Sequence, residues 1–324
     1  MSLYLAGQNI DAVDYNTFAD GVNRVYGVPT GPWLPPANPA LEYGYNQTPL
    51  VHVVPGQIIR AAEWVLLYTT IVKIAGHQGT VVTMPPLEHF VPGLPIIAEN
   101  PPNLFLNAIN LISVYPTRFN ANGVGATQLQ ASSSVIRTIP WSTQLYHDVI
   151  YRFTSSNHMR GYFNSGGQFK FDASLVGGSG SHTASWARML QQAGTVIYDY
   201  LKFYNTGTNW YRFFIIYGTG GYGYGYGGYG YGYGYGGYGY GYGYGYGYGY
   251  GYSFNVNSYS ISARIENGGT DLHFRISFDD PYHHLPDSIN GTIRSAITMK
   301  KASMIYLNTP GILYPTVLDV SSNF

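Results

Sequence analysis

Tyr259-Ser260-Ile261-Ser262-Ala263-Arg264-Ile265, then Asn267-Gly268-Gly269, then Leu272-His273-Phe274-Arg275-Ile276-Ser277-Phe278 is the stretch from which the fold is read. Apolar and polar residues alternate on both sides of a glycine-bearing turn. Successive side chains of a strand point to opposite faces, so each flank presents one apolar face. Asn-Gly-Gly supplies the positive φ that a tight reversal needs. The stretch predicts an antiparallel hairpin.

Working outward, the same period recurs. Residues 135–139, 145–153, 167–175, 195–204, 210–217, 254–256 and 289–299 read as further strands. Residues 183–193, with Trp186, Met189 and Leu190, read as one amphipathic helix inside this region. Short strands separated by turn residues predict a mainly β fold, an antiparallel β-sandwich or jelly-roll-like domain. It spans 104–220 and 253–302, and 303–324, carrying Pro310 and Pro315, follows as a surface strap.

Residues 1–84 have a different character. Asp14 or Asn16 can cap a short helix over 17–26, with Phe18, Val22 and Val25 on one face and Gly27 as its stop. A proline-rich strap follows, and then the clearest helix of the chain. Residues 57–75 place Ile58, Ala61, Trp64, Val65, Tyr68, Ile71, Val72 and Ala75 at helical spacing before Gly76, and His77 braces the end. Two short helices make too little core for a separate domain. Phe18, Val22, Val25, Trp64, Tyr68 and Ile71 are therefore expected to carry assembly contacts, and 85–103 is a Pro-rich connector to the β domain.

Between two predicted strands, residues 221–252 are almost pure glycine-tyrosine alternation, which puts the tyrosines on one face and bare glycine on the other. The alternation stutters at Gly227-Gly228 and Gly236-Gly237, and each pair can close a two-residue hairpin. In the meander that results, Tyr226 faces Tyr229, Tyr224 faces Tyr231, and Tyr222 faces Tyr233. Tyr235 then faces Tyr238, Tyr233 faces Tyr240, and Tyr229 faces Tyr244, with Tyr242 in the same exposed aromatic array. Such cross-strand pairs contribute about 0.2–1 kcal/mol each. A low-complexity insert without fixed structure is the competing reading. The run 238–252 exceeds its partners, so its far end is left to pair with a neighbouring subunit or stays unpaired.

Composition narrows function. Charged residues are 10% of the chain, against about a quarter in a typical globular domain, and 16 Lys and Arg balance 16 Asp and Glu. No basic stripe exists to hold a polyanion, so nucleic acid is not an expected partner. The cysteine count is 0, which removes disulfides and thiolate metal sites. Neither a signal peptide nor a membrane-spanning helix is read. The densest metal-capable group is Asp279, Asp280, His283 and His284, which reads either as a divalent-cation site or as a solvated loop between Pro281 and Pro286. Ser132-Ser133-Ser134 and Ser179-Gly180-Ser181 have no local base, and no nucleophile motif occurs. No enzyme activity and no cofactor are expected.

Several segments carry a family resemblance. Asn23-Arg24-Val25-Tyr26-Gly27, Tyr43-Gly44-Tyr45-Asn46-Gln47, Pro55-Gly56-Gln57-Ile58-Ile59 leading to Trp64, and His77-Gln78-Gly79-Thr80 resemble virion structural proteins of tailed bacteriophages, especially phages of cyanobacteria and other aquatic bacteria. Ser185-Trp186-Ala187-Arg188-Met189-Leu190, Gly194-Thr195-Val196, 272–280 and 290–295 look like segments of the same group. The resemblance implies a tail-fibre-like virion component, made in the host cytoplasm, and the glycine-tyrosine tract departs from the group pattern. The resulting expectation is a non-enzymatic tail or neck fibre or appendage. It would assemble as a homo-oligomer, a trimer, in contact with other virion proteins and with host-surface glycan or protein. A receptor-binding adhesin using the tyrosine array and a capsid decoration protein are the alternatives.

Overall fold

The hairpin forms as its pattern predicts. In a computed structural model, which describes residues 11–29, 44–90, 101–114, 116–118, 120, 128–218, 256–281, 288–301, 306–308 and 314–324, the chain begins with helices α1 (Ala12–Tyr26), α2 (Ala61–Gln78) and α3 (Pro101–Val114). Strands β1 (Gln128–Arg137) and β2 (Leu145–Arg152), helix α4 (Ser156–Asn164), β3 (Gln168–Val176), α5 (Ser181–Ala193), β4 (Val196–Tyr198) and α6 (Tyr200–Tyr204) follow. The chain then runs through β5 (Tyr211–Tyr217), β6 (Ser258–Glu266), β7 (Asp271–Asp279), β8 (Thr292–Lys301) and β9 (Thr316–Ser322). The fold is mainly β, with two antiparallel sheets ordered β1-β8-β3-β4 and β5-β6-β7-β2-β9.

In the β6–β7 ladder Tyr259 faces Phe278, Ile261 faces Ile276, Ala263 faces Phe274 and Ile265 faces Leu272, all buried. Asn267, Gly268 and Gly269 make the reversal at φ of 50°, 66° and 93°. The apolar face of this hairpin meets the other sheet through aromatic rings. Phe274 lies 5.0 Å from Phe169, 4.9 Å from Phe171 and 5.0 Å from Tyr198 of that sheet, and 5.9 Å from Tyr151 of the neighbouring strand β2 in its own sheet. Offset and edge contacts at this spacing are the favourable ones for aromatic quadrupoles, and they join the sheets as in a β-sandwich. Phe274→Ala should therefore cost about 3–5 kcal/mol. A urea titration checks this by a lower midpoint at unchanged slope, and a loss below about 1 kcal/mol would show the ring cluster to be incidental.

The helical region holds more than two helices. Asp11, rather than Asp14 or Asn16, caps α1: its carboxylate accepts from the N–H groups of Val13 and Asp14, while Asp14 closes a capping box. Asn16 and Asn23, two turns apart on α1, each accept from and donate to one backbone unit, Val53 and Leu50 respectively. They pin 50–53 along the helix as a strand partner would. Helix α2 starts four residues later than predicted and runs through Gly76 to a left-handed cap at Gly79, φ 67°. Gly76 is a close-approach residue, because a Cβ there would lie 2.6 Å from the Tyr306 ring.

Helix α3 packs on α1 and α2, so residues 104–114 belong to the helical region and not to the β domain expected from 104 onward. Phe105 supplies the missing core by meeting Trp64 at 5.4 Å and Phe18 at 6.3 Å. As a result Phe18, Val22, Val25, Trp64 and Ile71 are buried in the chain's own interior, and Tyr68 is half-buried against Phe90. This corrects the assembly role expected of them: their apolar face already has a partner within the chain.

Other boundaries also move. The strand predicted over 195–204 divides into β4 and α6, the latter capped by Asp199. The strand predicted over 289–299 starts at Thr292, and Ile289 makes only an isolated bridge to Trp141. The C-terminal strap ends in β9, an edge strand on β2. Ser155 caps α4, a helix absent from the expected elements.

Candidate functional surface at the root of the tyrosine tract

The chain leaves the five-stranded sheet at Tyr217 and re-enters it at Ser258, and these two residues face each other across β5 and β6. One position further out, the Gly218 N–H donates to the Asn257 carbonyl at 2.8 Å. The segment between them thus leaves and rejoins the described fold at one place. Tyr222, Tyr224, Tyr226, Tyr229, Tyr231, Tyr233, Tyr235, Tyr238, Tyr240, Tyr242 and Tyr244, and the predicted meander with them, lie outside the described residues.

Beneath this root lies a buried polar cluster drawn from three elements. The Asn257 amide, oriented to satisfy its neighbours, accepts from His182 Nε2 at 3.2 Å and from Trp186 Nε1 at 3.0 Å, and donates to Asp280 Oδ1 at 3.1 Å. His182 Nε2 stands 3.3 Å from Asp280 Oδ1, both side chains buried. This network ties α5 and the end of β7 to the root, where an unpaired amide would cost stability. Sequence spacing carries no sign of it, since Asn257 and Asp280 lie 75 and 98 residues from His182.

The metal candidates divide. Asp280 turns inward to this cluster, Asp279 accepts from the Gln144 amide, and His283 and His284 lie outside the described residues. Among the described residues no group of three His, Cys, Asp or Glu side chains is placed to hold a metal.

At the far end of the same sheet the outer face is charged. Arg275 grips Asp148 through bonds of 3.0 and 2.6 Å, Arg152 grips Asp271 through bonds of 2.7 and 2.6 Å, and Arg264 pairs with Glu266 at 2.5 Å. The Arg152 guanidinium holds the Asp271 carboxyl below its ordinary range, against the opposing effect of burial. The Trp210 ring lies over Arg264 at 4.5 Å and Arg275 at 4.7 Å, with the His273 ring 4.7 Å away. These guanidiniums are matched to carboxylates and an indole, so this face is a self-neutralising platform.

Between the sheets the fold brings a base to Ser133 that local sequence did not show. His147 Nε2 is 2.8 Å from Ser133 Oγ, and its Nδ1 is 3.0 Å from Ser295 Oγ. A hydroxyl rather than a carboxylate orients the ring, and burial pushes the imidazole down to about 4. The arrangement is that of a neutral bridge between two sheets, with a weak base. His77, expected to brace the end of α2, is buried in its last turn, 4.8 Å from the Tyr45 ring, and burial likewise lowers it to about 4.

The segment 44–47, part of the resemblance, is a rivet between regions. Tyr45 is fully buried and its hydroxyl accepts from Gln78, the Gly44 carbonyl accepts from Asn164 of α4, and Gln47 Oε1 accepts from the Asn308 N–H. A Cβ at Gly44 would lie 2.1 Å from the Gly27 carbonyl oxygen, so only glycine fits.

Fold and surface together define a mainly β protein of two facing antiparallel sheets, with a helical cluster riveted to it and a tyrosine-rich segment rooted in one hairpin. No family model, no curated protein and no solved structure matches the chain. Among the described residues, no helix is long and apolar enough to cross a membrane.

Proposed function

We propose that this chain is a non-enzymatic structural protein of a tailed-phage virion, a fibre or appendage of the tail or neck that displays the tyrosine-rich tract from a rigid base. The single observation that carries the display reading is the Gly218–Asn257 bond at 2.8 Å, which gives a long aromatic segment one anchored root on a packed sheet. The virion setting is supported by the resemblance of the helical and sheet segments. In this reading the domain is jelly-roll-like, which the pairing of β1 with β8 and of β2 with β7 favours, because the first strands close on the last. The tract is a meander whose tyrosines offer rigid aromatic area to protein or sugar. The protein assembles as a symmetric homo-oligomer beside other virion proteins and meets the host surface.

Quantitative mass spectrometry of purified particles tests this reading. The expected result is a few copies per particle relative to the major capsid protein. Hundreds of copies would instead make it a capsid decoration protein, and absence from particles would end the virion reading.

A further inference from the structure

The geometry points to the free edge of β5 as the surface through which two copies of this chain pair, strand to strand, about a two-fold axis at Ile215. This gives the self-assembly part of the proposed function a specific interface and rests on that part of the reading.

Among the described residues strand β5 ends its sheet, with β6 on one side and no strand on the other. Its sequence, Tyr211-Arg212-Phe213-Phe214-Ile215-Ile216-Tyr217, is that of an interior strand, yet none of its residues is buried, whereas β6 is buried along most of its length. Tyr217 is 55% exposed.

The root bond sets the phase of the ladder. Gly218 and Asn257 form a hydrogen-bonded pair, and such pairs alternate along an antiparallel ladder. The backbone groups of Phe214 and Ile216 therefore turn toward β6, and those of Ile215 and Tyr217 turn away from it. Outward-facing N–H and C=O groups on an edge are a template for another strand.

The other edges are blunted. Strand β4 has 3 residues. Asp319 lies within β9, whose pairing with β2 is shifted between Ile150 and Tyr151. Strand β1 is shifted between Ala131 and Ser133 and ends in Arg137, whose guanidinium bonds back to the carbonyls of Ile139 and Pro140. The irregularity in β5 lies between Arg212 and Phe214, which leaves 214–217 regular, uncharged and free of proline.

Self-pairing fits this pattern better than pairing with an unrelated strand. With Ile215 opposite the partner's Ile215, Phe214 faces the partner's Ile216, and both pairs are apolar. Arg212, the one charge in the strand, falls at opposite ends of the paired segment in the two copies, so no like charges are opposed. The two sheets become one, and both tract roots come to lie beside the interface. A two-fold pairing of this kind takes the place of the trimer as the proposed assembly.

Disulfide trapping in the full-length protein tests the interface cleanly, because the native chain has 0 cysteines. In the proposed register Ile215→Cys puts two thiols on directly opposed residues with Cα atoms about 5.5 Å apart, within disulfide range. Tyr217→Cys thiols would sit roughly 13 Å apart. Mild oxidation should convert most of the I215C protein, and little of the Y217C protein, to covalent dimer. Wild-type protein should sediment as a dimer at micromolar concentration. Ile215→Pro, which removes an outward N–H and leaves the β6 ladder intact, should weaken dimerisation at least tenfold with an unchanged circular-dichroism spectrum. An oligomer that forms without I215C linkage would overturn the edge interface and leave self-assembly standing. A monomer at tens of micromolar would overturn both, and a monomer whose 215 thiol resists alkylation would show that the chain covers this edge with its own residues.

Discussion

Replacement of residues 219–256 by Asn-Gly is expected to leave the fold standing and to remove at least nine-tenths of particle adsorption to host cells. Gly218 and Asn257 already form a hydrogen-bonded pair, and two residues of this type close such a pair in a type I′ turn whose twist matches the flanking strands. Shortening the connection also lowers its closure entropy, by on the order of 2 kcal/mol. Thermal unfolding of the excised protein should thus be at or above that of the native chain, and mass spectrometry should find it in particles at native copy number. Adsorption carries the second half of the prediction: normal adsorption by such particles would reject a host-facing tract. A chain that fails to fold after excision would mean that the tract belongs to the core, which contradicts display from a root.

Acid should destabilise the protein from the ordinary histidine range downward, before its carboxylates begin to titrate. His77 and His147 are both fully buried, and burial lowers each to about 4. Between pH 6.5 and pH 4 the unfolded chain binds protons at these two side chains that the folded chain does not, so stability rises with pH through this window. It is fully present above the ordinary histidine value and is lost as pH falls toward 4. At pH 4.5 the loss is roughly 2.5 kcal/mol for each histidine, or roughly 5 kcal/mol together. That is a large part of the stability of an ordinary domain. Urea titrations at pH 7.0, 5.5 and 4.5 read it directly. His147→Asn should flatten about half the slope, and equal stability at pH 4.5 and pH 7 in the native protein would refute the assignment.

The legible parts of the fold were those whose signal is local. Alternation around Asn267-Gly268-Gly269 gave β6, β7 and their turn, because period two and positive φ are properties of neighbouring residues. Helices α1, α2 and α5 were found from apolar spacing, with ends displaced by a few residues because caps depend on side-chain geometry. Helix α4 has no such local signal, since its nine residues sit between two strong strands and bury aromatic and polar side chains alike. Residues 195–204 have a strand's composition, but Asp199 caps the second half into a helical turn.

By itself the sequence determined a mainly antiparallel β protein poor in charge, a helical N-terminal region, and a glycine-tyrosine tract placed between two strands. Tertiary structure alone decided what these parts touch. It buried Trp64 and its neighbours against α3, set Asn257, His182 and Asp280 together beneath the root, joined His147 to Ser133 and Ser295, and left β5 as an edge. The physical reason is range. A strand's period and a turn's φ are fixed by covalent geometry within a few residues, whereas burial and hydrogen-bond partnership are set by which distant faces pack together. That choice is made by the whole chain's apolar surface at once.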